Sequence, residues 1–287
     1  MATIKLCAPL DEAAVALLDQ IAAMKCNKVH LAEIRGILNK NVLELTNEEA
    51  IYCDEELKKN GIETWAISSP IGKRDFRIPF VEFQARSQKA VLMAKLFHTD
   101  KIRVFSFFDH HNDRIEVFKR LQYIVDIAKK ENILVCLENE KGSYGENAKN
   151  VLDVLDNVKG IGYVYDSSNF IQVGEKSELT LKECFPRATY VHLKDGIHVG
   201  DDAHIYPVGE GEANIPKLIS LVDKDITFSI EHHLRFPNLD ERYEDIKDSQ
   251  KFVYRSMREA FDDAVKHARD LLLKAGYKEI KEGEFIK

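Results

Sequence analysis

Four polar residues stand at the ends of four successive β-rich runs in the second half of the chain. ILVCL leads into Glu138, GYVY into Asp166 and TFSI into Glu231, and YVHL contains His192. Carboxylate oxygen and imidazole nitrogen are ligands of borderline-hard divalent cations. Gathering three anions without a cation would cost on the order of several kcal/mol in repulsion and desolvation. The set therefore predicts one divalent metal ion, which suits Mn²⁺, Mg²⁺ or Co²⁺, with Zn²⁺ as a further candidate.

Each of the four residues also has a simpler interpretation when it is considered alone. A carboxylate at a strand end can cap the following helix, and an isolated histidine is usually structural. Four such residues at successive strand ends favour one shared site over four separate structural roles.

The surrounding pattern indicates the elements that would hold this site. Short β-rich runs alternate with segments of helical period, which is typical of βαβ units and a parallel sheet. Eight strands are predicted: Thr3–Cys7, Lys28–Glu33, Glu63–Ser68, Ile102–Phe107, Ile133–Leu137, Gly162–Tyr165, Tyr190–Leu193 and Thr227–Ile230. The segment Ile115–Lys130 is an example of the amphipathic helices between them.

The spacing of the strands predicts a single closed barrel. Residues at successive strand ends are 26 to 39 positions apart in a chain of 287 residues, close to the spacing of about 36 that eight βα units would give. The chain contains no Ser/Pro/Gly-rich linker. We therefore predict an α/β protein with a single-domain (β/α)8 TIM barrel over residues 1–275, whose active site lies at the carboxyl ends of the strands.

The C-terminal region is predicted to contain one long helix and a tail. Residues 249–275 carry an apolar stripe through Phe252, Met257 and Phe261, which could close the barrel or pack on a second subunit in a homo-oligomer. Residues 276–287 are predicted to be a charged, loose tail.

Composition limits the partners and the location of the protein. With 41 Lys and Arg against 48 Asp and Glu, the formal charge is −7, which argues against nucleic acid as a partner. The sequence has no apolar stretch long enough to span a membrane and no signal-peptide pattern. Five cysteines without C-x-x-C spacing fit a reducing compartment, so we expect a cytoplasmic protein.

Five motifs in order resemble the sugar phosphate isomerase/epimerase family with the xylose-isomerase-like barrel. They are LENEKGSYG (Leu137 to Gly145), VYDSSNF (Val164 to Phe170), VHLKDG (Val191 to Gly196), PVGEGEANI (Pro207 to Ile215) and SIEHHL (Ser229 to Leu234). The resemblance implies that Glu138, Asp166, His192 and Glu231 are the metal ligands. It also implies that Glu138 and Glu231 act as the catalytic acid and base.

Two positions in these motifs need comment. Glu140 competes with Glu138 as a ligand, but the alternation in ILVCLENE places Glu138 at the end of the apolar run and Glu140 on the loop. Many relatives have histidine three residues after the aspartate, where this chain has Asn169. Asparagine can hydrogen-bond a substrate hydroxyl but cannot carry a proton at neutral pH.

Several residues near the same face could bind substrate. The predicted set is Arg35, Asn169, Lys194 and His198. Lys73 and Arg74 are more simply interpreted as solvated loop charges, and the pairs His110–His111 and His232–His233 as structural groups at the rim.

These features together predict a metal-dependent isomerase or epimerase of a small sugar, keto sugar or sugar phosphate. Chelation would acidify the C–H beside a carbonyl and stabilise the enediolate formed when that proton leaves. Loss of a β-hydroxyl on the same site would instead make the protein a dehydratase. A non-catalytic sugar-binding barrel is the other alternative, and a metal-dependent apurinic endonuclease is disfavoured by the acidic charge.

Overall fold

The computed structural model describes residues 2–73, 76–108, 113–234 and 252–287. Their strands are β1 (Thr3–Pro9), β2 (Leu31–Ile34), β3 (Gly36–Ile37), β4 (Lys40–Asn41), β5 (Glu63–Ser68), β6 (Lys101–Val104), β7 (Leu134–Glu138), β8 (Gly162–Asp166), β9 (Tyr190–His192), β10 (Asp195–Val199), β11 (Asp202–Tyr206), β12 (Ile226–Ser229), β13 (Lys278–Lys281) and β14 (Glu284–Ile286). Their helices are α1 (Leu17–Cys26), α2 (Asn47–Lys59), α3 (Phe80–Leu96), α4 (Arg114–Lys129), α5 (Ala148–Asn157), α6 (Ser167–Gln172), α7 (Ser177–Glu183), α8 (Ile215–Ser220) and α9 (Met257–Lys274).

Eight parallel strands close into a barrel in the order β1-β2-β5-β6-β7-β8-β9-β12. The closing pair is β12 with β1, in a register that runs from Ile4 opposite Ile226 to Cys7 opposite Ser229. This arrangement confirms the predicted (β/α)8 barrel, and each predicted strand overlaps one of the eight.

The strand boundaries differ from prediction where the backbone leaves the extended region. Lys28 has a φ of 52° and Phe107 a φ of 69°, and neither conformation can continue a strand. Strand β2 therefore begins at Leu31, and β6 ends at Val104.

The outer helices bury their apolar stripes against the barrel. Helix α4 occupies nearly the segment predicted for it, and its Val117, Leu121 and Ile124 are fully buried. It begins where Asp113 accepts a hydrogen bond from the Glu116 N–H at 3.0 Å. The described part of the chain contains no helix both long and apolar enough to cross a membrane.

The last helix is shorter than the predicted segment 249–275. Residues 249–251 lie outside the described residues, and α9 begins only at Met257. The reason is local, because the Ser256 hydroxyl accepts a hydrogen bond from the Glu259 N–H at 3.1 Å and so caps the helix at that point.

The charged tail forms a β-hairpin and is not loose. Strand β14 pairs antiparallel with β1, and Phe285 between the charged residues is completely buried. The turn before β14 contains Gly283, whose φ of 74° favours glycine and whose carbonyl accepts a hydrogen bond from the Leu6 N–H at 2.8 Å. The hairpin thus extends the sheet beside the amino-terminal half of β1.

Candidate metal centre

The four predicted ligand residues meet at the carboxyl ends of the barrel strands. Glu138, Asp166 and His192 are the last residues of β7, β8 and β9, and Glu231 lies two residues after β12. All four are buried, and each contributes a ligand atom to a group in which the atoms lie within 4.8 Å of one another.

His192 lies at the centre of this cluster. Its Nδ1 is 3.1 Å from Oε1 of Glu138 and 3.1 Å from Oε2 of Glu231. Its Nε2 is 3.0 Å from Oε1 of Glu33, the third residue of β2. One ring nitrogen therefore faces the two glutamates of the cluster, and the other faces a third carboxylate.

The donors of the cluster fit a divalent cation. Asp166 Oδ2 and Glu138 Oε2 are buried and accept no well-aligned hydrogen bond from the described residues, although each lies at ion-pair distance from a cation, 2.9 Å from Lys194 Nζ and 3.0 Å from Arg103 Nε. The other Asp166 oxygen, Oδ1, caps α6 by accepting the Asn169 N–H at 2.8 Å, so the helix-capping interpretation also holds for this residue. Three carboxylates and one imidazole are a donor set that Mg²⁺, Mn²⁺, Co²⁺ or Zn²⁺ can share.

The protonation of the cluster reflects burial and close opposite charges. Burial lowers the pKa of His192, but the carboxylates of Glu138, Glu33 and Glu231 outweigh it and raise the pKa well above its ordinary value. Burial raises the pKa of Glu138 and Glu231, but the surrounding positive charges, that of His192 foremost, together outweigh burial and lower both pKa values. Burial raises the pKa of Asp166 to about 6, although Lys194 acts in the opposite direction.

Each cluster glutamate directs one oxygen to His192 and the other to an arginine. Arg103 Nε lies 3.0 Å from Oε2 of Glu138, and Arg35 Nη1 pairs closely with Oε1 of Glu231. Arg103 is stacked on Phe105, with 4.2 Å between the guanidinium and the ring centroid. The two arginines fix the orientation of both carboxylates.

A second group of metal-binding residue types adjoins the first. Glu12, Glu231 and His233 bring ligand atoms within 4.8 Å of one another. The Arg35 guanidinium lies among them, because its Nη2 is 2.6 Å from Glu12 Oε1 and its Nη1 is 3.3 Å from His233 Nε2. The cation that balances this group is therefore an arginine.

Lys194 and Asn169 were also predicted to bind substrate and, like Arg35, contact the cluster directly. Lys194 Nζ lies 2.9 Å from Asp166 Oδ2 and donates a hydrogen bond to Asn169 Oδ1 at 2.8 Å. The Asn169 amide in turn donates to Oε2 of Glu140 at 3.0 Å. The Asp195 carboxylate, next to Lys194, accepts the N–H groups of Gly209, Gly211 and Ala213 and so fastens the PVGEGEANI loop beside this edge.

The other predicted contacts are distributed around the rim. The His198 ring hydrogen-bonds with the Ile171 carbonyl at 2.9 Å, and none of its hydrogen bonds among the described residues reaches the cluster. Glu140 pairs with Lys73 at 2.8 Å and is not in the four-residue group. Arg74, His110 and His111 lie outside the described residues.

Glu33 and Arg103 are among the residues that contact the cluster but were missing from the predicted site. Glu33 could have been found as a carboxylate at the end of a strand, the same signal that identified Glu138. Arg103 could have been found as a charged residue inside the apolar run IRVFSFF, where burial demands a partner.

A family model described as xylose isomerase-like TIM barrel matches residues 18–256 of the chain. The chain belongs to this family. The match covers most of the barrel and includes all four residues of the candidate metal centre. A sequence comparison with curated proteins gives no match.

Solved structures resemble this one over nearly the whole chain. The probable 3-DHS dehydratase AsbF of Bacillus anthracis, involved in petrobactin synthesis, has 17% identity and a TM-score of 0.69, covering 94% of this chain and 99% of its own. D-allulose 3-epimerase from Methylomonas sp. has 12% identity and a TM-score of 0.67, covering 95% and 100%. A barrel of this family from Mycobacterium smegmatis, in complex with magnesium, has 12% identity and a TM-score of 0.70, covering 96% and 98%. At these identities the likeness shows the fold.

Proposed function

We propose that this protein is a divalent-metal-dependent isomerase or epimerase of a small sugar, keto sugar or sugar phosphate. The observation that carries the proposal is the convergence of Glu138 and Glu231 on one imidazole nitrogen, at 3.1 Å each, with Asp166 completing the cluster. Two of the similar structures support an enzymatic function of this kind, since one is a D-allulose 3-epimerase and the other a probable 3-DHS dehydratase.

In this proposal Glu138, Asp166, His192 and Glu231 hold one divalent ion. The ion, when bound, polarises the substrate carbonyl and so acidifies the neighbouring C–H. The residues of this chain provide the remaining chemistry.

Glu138 and Glu231 are the proposed proton carriers. Neighbouring positive charge lowers the pKa of both carboxylates and so favours the ionised form, in which a glutamate can accept a proton from carbon. In epimerisation one glutamate, ionised, takes the proton from one face of the carbon, and the other, which enters the step protonated, gives its own proton to the opposite face, so the two glutamates exchange protonation states. Return of the proton to the adjacent carbon gives aldose–ketose isomerisation.

Polar groups beside the cluster would orient the substrate. Lys194 and Asn169 are hydrogen-bonded to each other and lie at the edge of the site, where they can contact substrate hydroxyl or phosphate oxygens. Arg35 is oriented by Asp11 and Glu12, and 19% of its side chain is exposed to solvent. The barrel buries His192 completely and so keeps bulk water away from the cluster.

Solvent deuterium tests the proposal. Candidate ketoses and their phosphates are incubated with metal-loaded protein in D₂O, and deuterium is expected at the carbon beside the carbonyl. Glu138→Gln and Glu231→Gln should each slow this exchange by at least about 10²-fold while metal content is measured in parallel. Glu146→Gln, on the loop after β7, is the matched control, since the Glu146 carboxylate accepts the Gly142 N–H at 2.9 Å and is not in the four-residue group.

Two outcomes would contradict the proposed isomerase or epimerase activity. If every sugar stays unlabelled and a hydroxy acid instead yields a dehydrated product, the site is that of a dehydratase. If purified and reconstituted protein binds no divalent metal, the proposal fails altogether.

A further inference from the structure

We propose that Glu33 is a positioning residue of the metal centre, which holds the His192 ring so that Nδ1 is presented to the metal. The inference rests on the metal site of the proposed function. It concerns a residue that lies outside the four-residue ligand group and outside the pocket edge formed by Lys194 and Asn169.

The contacts of His192 divide cleanly between its two ring nitrogens. Nε2 lies 3.0 and 3.3 Å from the two oxygens of Glu33, whereas Nδ1 faces Glu138 and Glu231. A metal-ligating imidazole uses one nitrogen as donor to the metal and carries hydrogen on the other. Because Glu33 can only accept a hydrogen bond when it is ionised, it selects the tautomer with hydrogen on Nε2 and leaves the Nδ1 lone pair for the ion.

Glu33 is itself rigidly held. The Ser68 hydroxyl and the Tyr190 hydroxyl both donate to its Oε2, the latter at 3.2 Å. Tyr190 also packs edge-on against the His192 ring, with 5.6 Å between the ring centroids. The pairing of β2 with β5 shifts register between Ala32 and Glu33.

A completely buried carboxylate requires a compensating role. Glu33 has no solvent exposure, and burying an ionised carboxylate is costly unless it is paired and hydrogen-bonded. Two hydroxyl groups donate to Oε2 of Glu33, so its Oε1 is the oxygen that accepts from Nε2 of His192. Fixing the orientation of a metal ligand is the role that these contacts support.

The first test measures metal affinity. The Kd for Co²⁺ is determined by competition with a chelating dye for the wild type, Glu33→Gln and Glu33→Ala. Both variants should bind Co²⁺ about 10- to 100-fold more weakly, with a change in the visible absorption of the bound ion. Asp54→Asn is the matched control, because Asp54 is also a buried carboxylate beside a histidine, 3.0 Å from His98 Nδ1, and is not among the ligand group.

A second measurement keeps the test decisive if Glu33→Ala folds poorly. Nitrogen-15 NMR of the zinc-loaded wild type should show hydrogen on Nε2 of His192, and Glu33→Gln should broaden or shift this signal. Hydrogen on Nδ1 would overturn the inference. So would a Co²⁺ affinity within about twofold of the wild type in both Glu33 variants, provided that His192→Ala abolishes binding.

Failure of this inference is distinguishable from failure of the proposed function. Protein that binds Co²⁺ through His192 with an affinity that depends on Glu33, but exchanges no proton of any sugar, contradicts the function and supports the positioning role of Glu33. Wild-type protein without affinity for any divalent ion overturns both.

Discussion

Arg103 and Glu138 form an ion pair inside the barrel, with 3.0 Å between Nε and Oε2 and almost no exposure of either side chain. Arg103 also donates to the Ser69 carbonyl at 3.0 Å, so the guanidinium is anchored on both sides. The pair leaves Oε1 of Glu138 directed at His192. It therefore couples stability of the barrel to the orientation of a proposed ligand.

Removing Arg103 should destabilise the protein strongly. Arg103→Met leaves a buried carboxylate without its cation, so the free energy of unfolding in urea should fall by about 3–5 kcal/mol in metal-free protein. Arg255→Met, which breaks a pair whose arginine is 90% exposed, should leave the free energy of unfolding nearly unchanged. Equal changes in the free energy of unfolding for the two substitutions would show that the buried ion pair contributes no more to stability than an exposed one. The double variant Arg103→Met/Glu138→Gln should recover part of the loss.

Metal affinity should increase with pH. In metal-free protein the pKa of His192 is raised by the surrounding carboxylates and that of Asp166 is raised by burial to about 6, so both hold protons that binding must displace. The affinity should rise about tenfold per pH unit just above pH 6, and more steeply below it, where Asp166 is also protonated. Calorimetry in two buffers of different ionisation enthalpy should detect about one proton released near pH 7. Affinity independent of pH between 5 and 7.5 would contradict this prediction.

The raised pKa of Asp166 has the opposite consequence for metal-free stability. A carboxyl that binds its proton more tightly when folded stabilises the folded state at low pH, and that contribution is lost as pH rises from about 4 to 6. Asp166→Asn should therefore flatten the dependence of the melting temperature on pH across this window while it abolishes metal binding. A pH dependence unchanged from the wild type would contradict the assigned origin of the shift.

The barrel and the candidate metal cluster could be predicted from the sequence because both predictions use the positions where strands end. Each barrel strand is a short apolar run, and a carboxylate or histidine directly after such a run must lie at the active-site face. Glu138 and Asp166 were found in this way. The spacing of strand ends along the chain does not show which side chains come into contact across the barrel. Glu33 and His192 are 159 positions apart, and only the closed sheet brings them within hydrogen-bonding distance.

The C-terminal hairpin also depends on a long-range contact that the sequence alone did not predict. Its charged residues suggested a loose tail, because β14 gains its stability from pairing with β1 at the other end of the chain. A pairing of such long range leaves no local signal beyond the alternation around Phe285. The completely buried Phe285 is the residue that anchors strand β14.

Truncating that aromatic tests the importance of the hairpin. Phe285→Ala removes a fully buried ring and should lower the free energy of unfolding by about 3–5 kcal/mol. Ile280→Ala, on the neighbouring strand but 58% exposed, should change it by no more than about 0.5 kcal/mol. Urea unfolding followed by circular dichroism measures both. A Phe285→Ala variant as stable as the wild type would mean that the barrel does not depend on its C-terminal hairpin.

Lys194 should set the pH at which the cluster becomes able to bind metal. Its Nζ is 2.9 Å from Asp166 Oδ2, and its charge holds the pKa of that carboxyl below the value that burial alone would give. In Lys194→Met the pKa of Asp166 should rise by about 1 unit or more. The low-pH loss of metal affinity should then begin at a correspondingly higher pH, with a smaller change at pH 8, where the carboxyl is ionised in either protein. Lys73→Met is the matched control, since Lys73 pairs with Glu140 at 2.8 Å and belongs to the rim. If both variants lose affinity at the same pH as the wild type, the charge of Lys194 does not control Asp166.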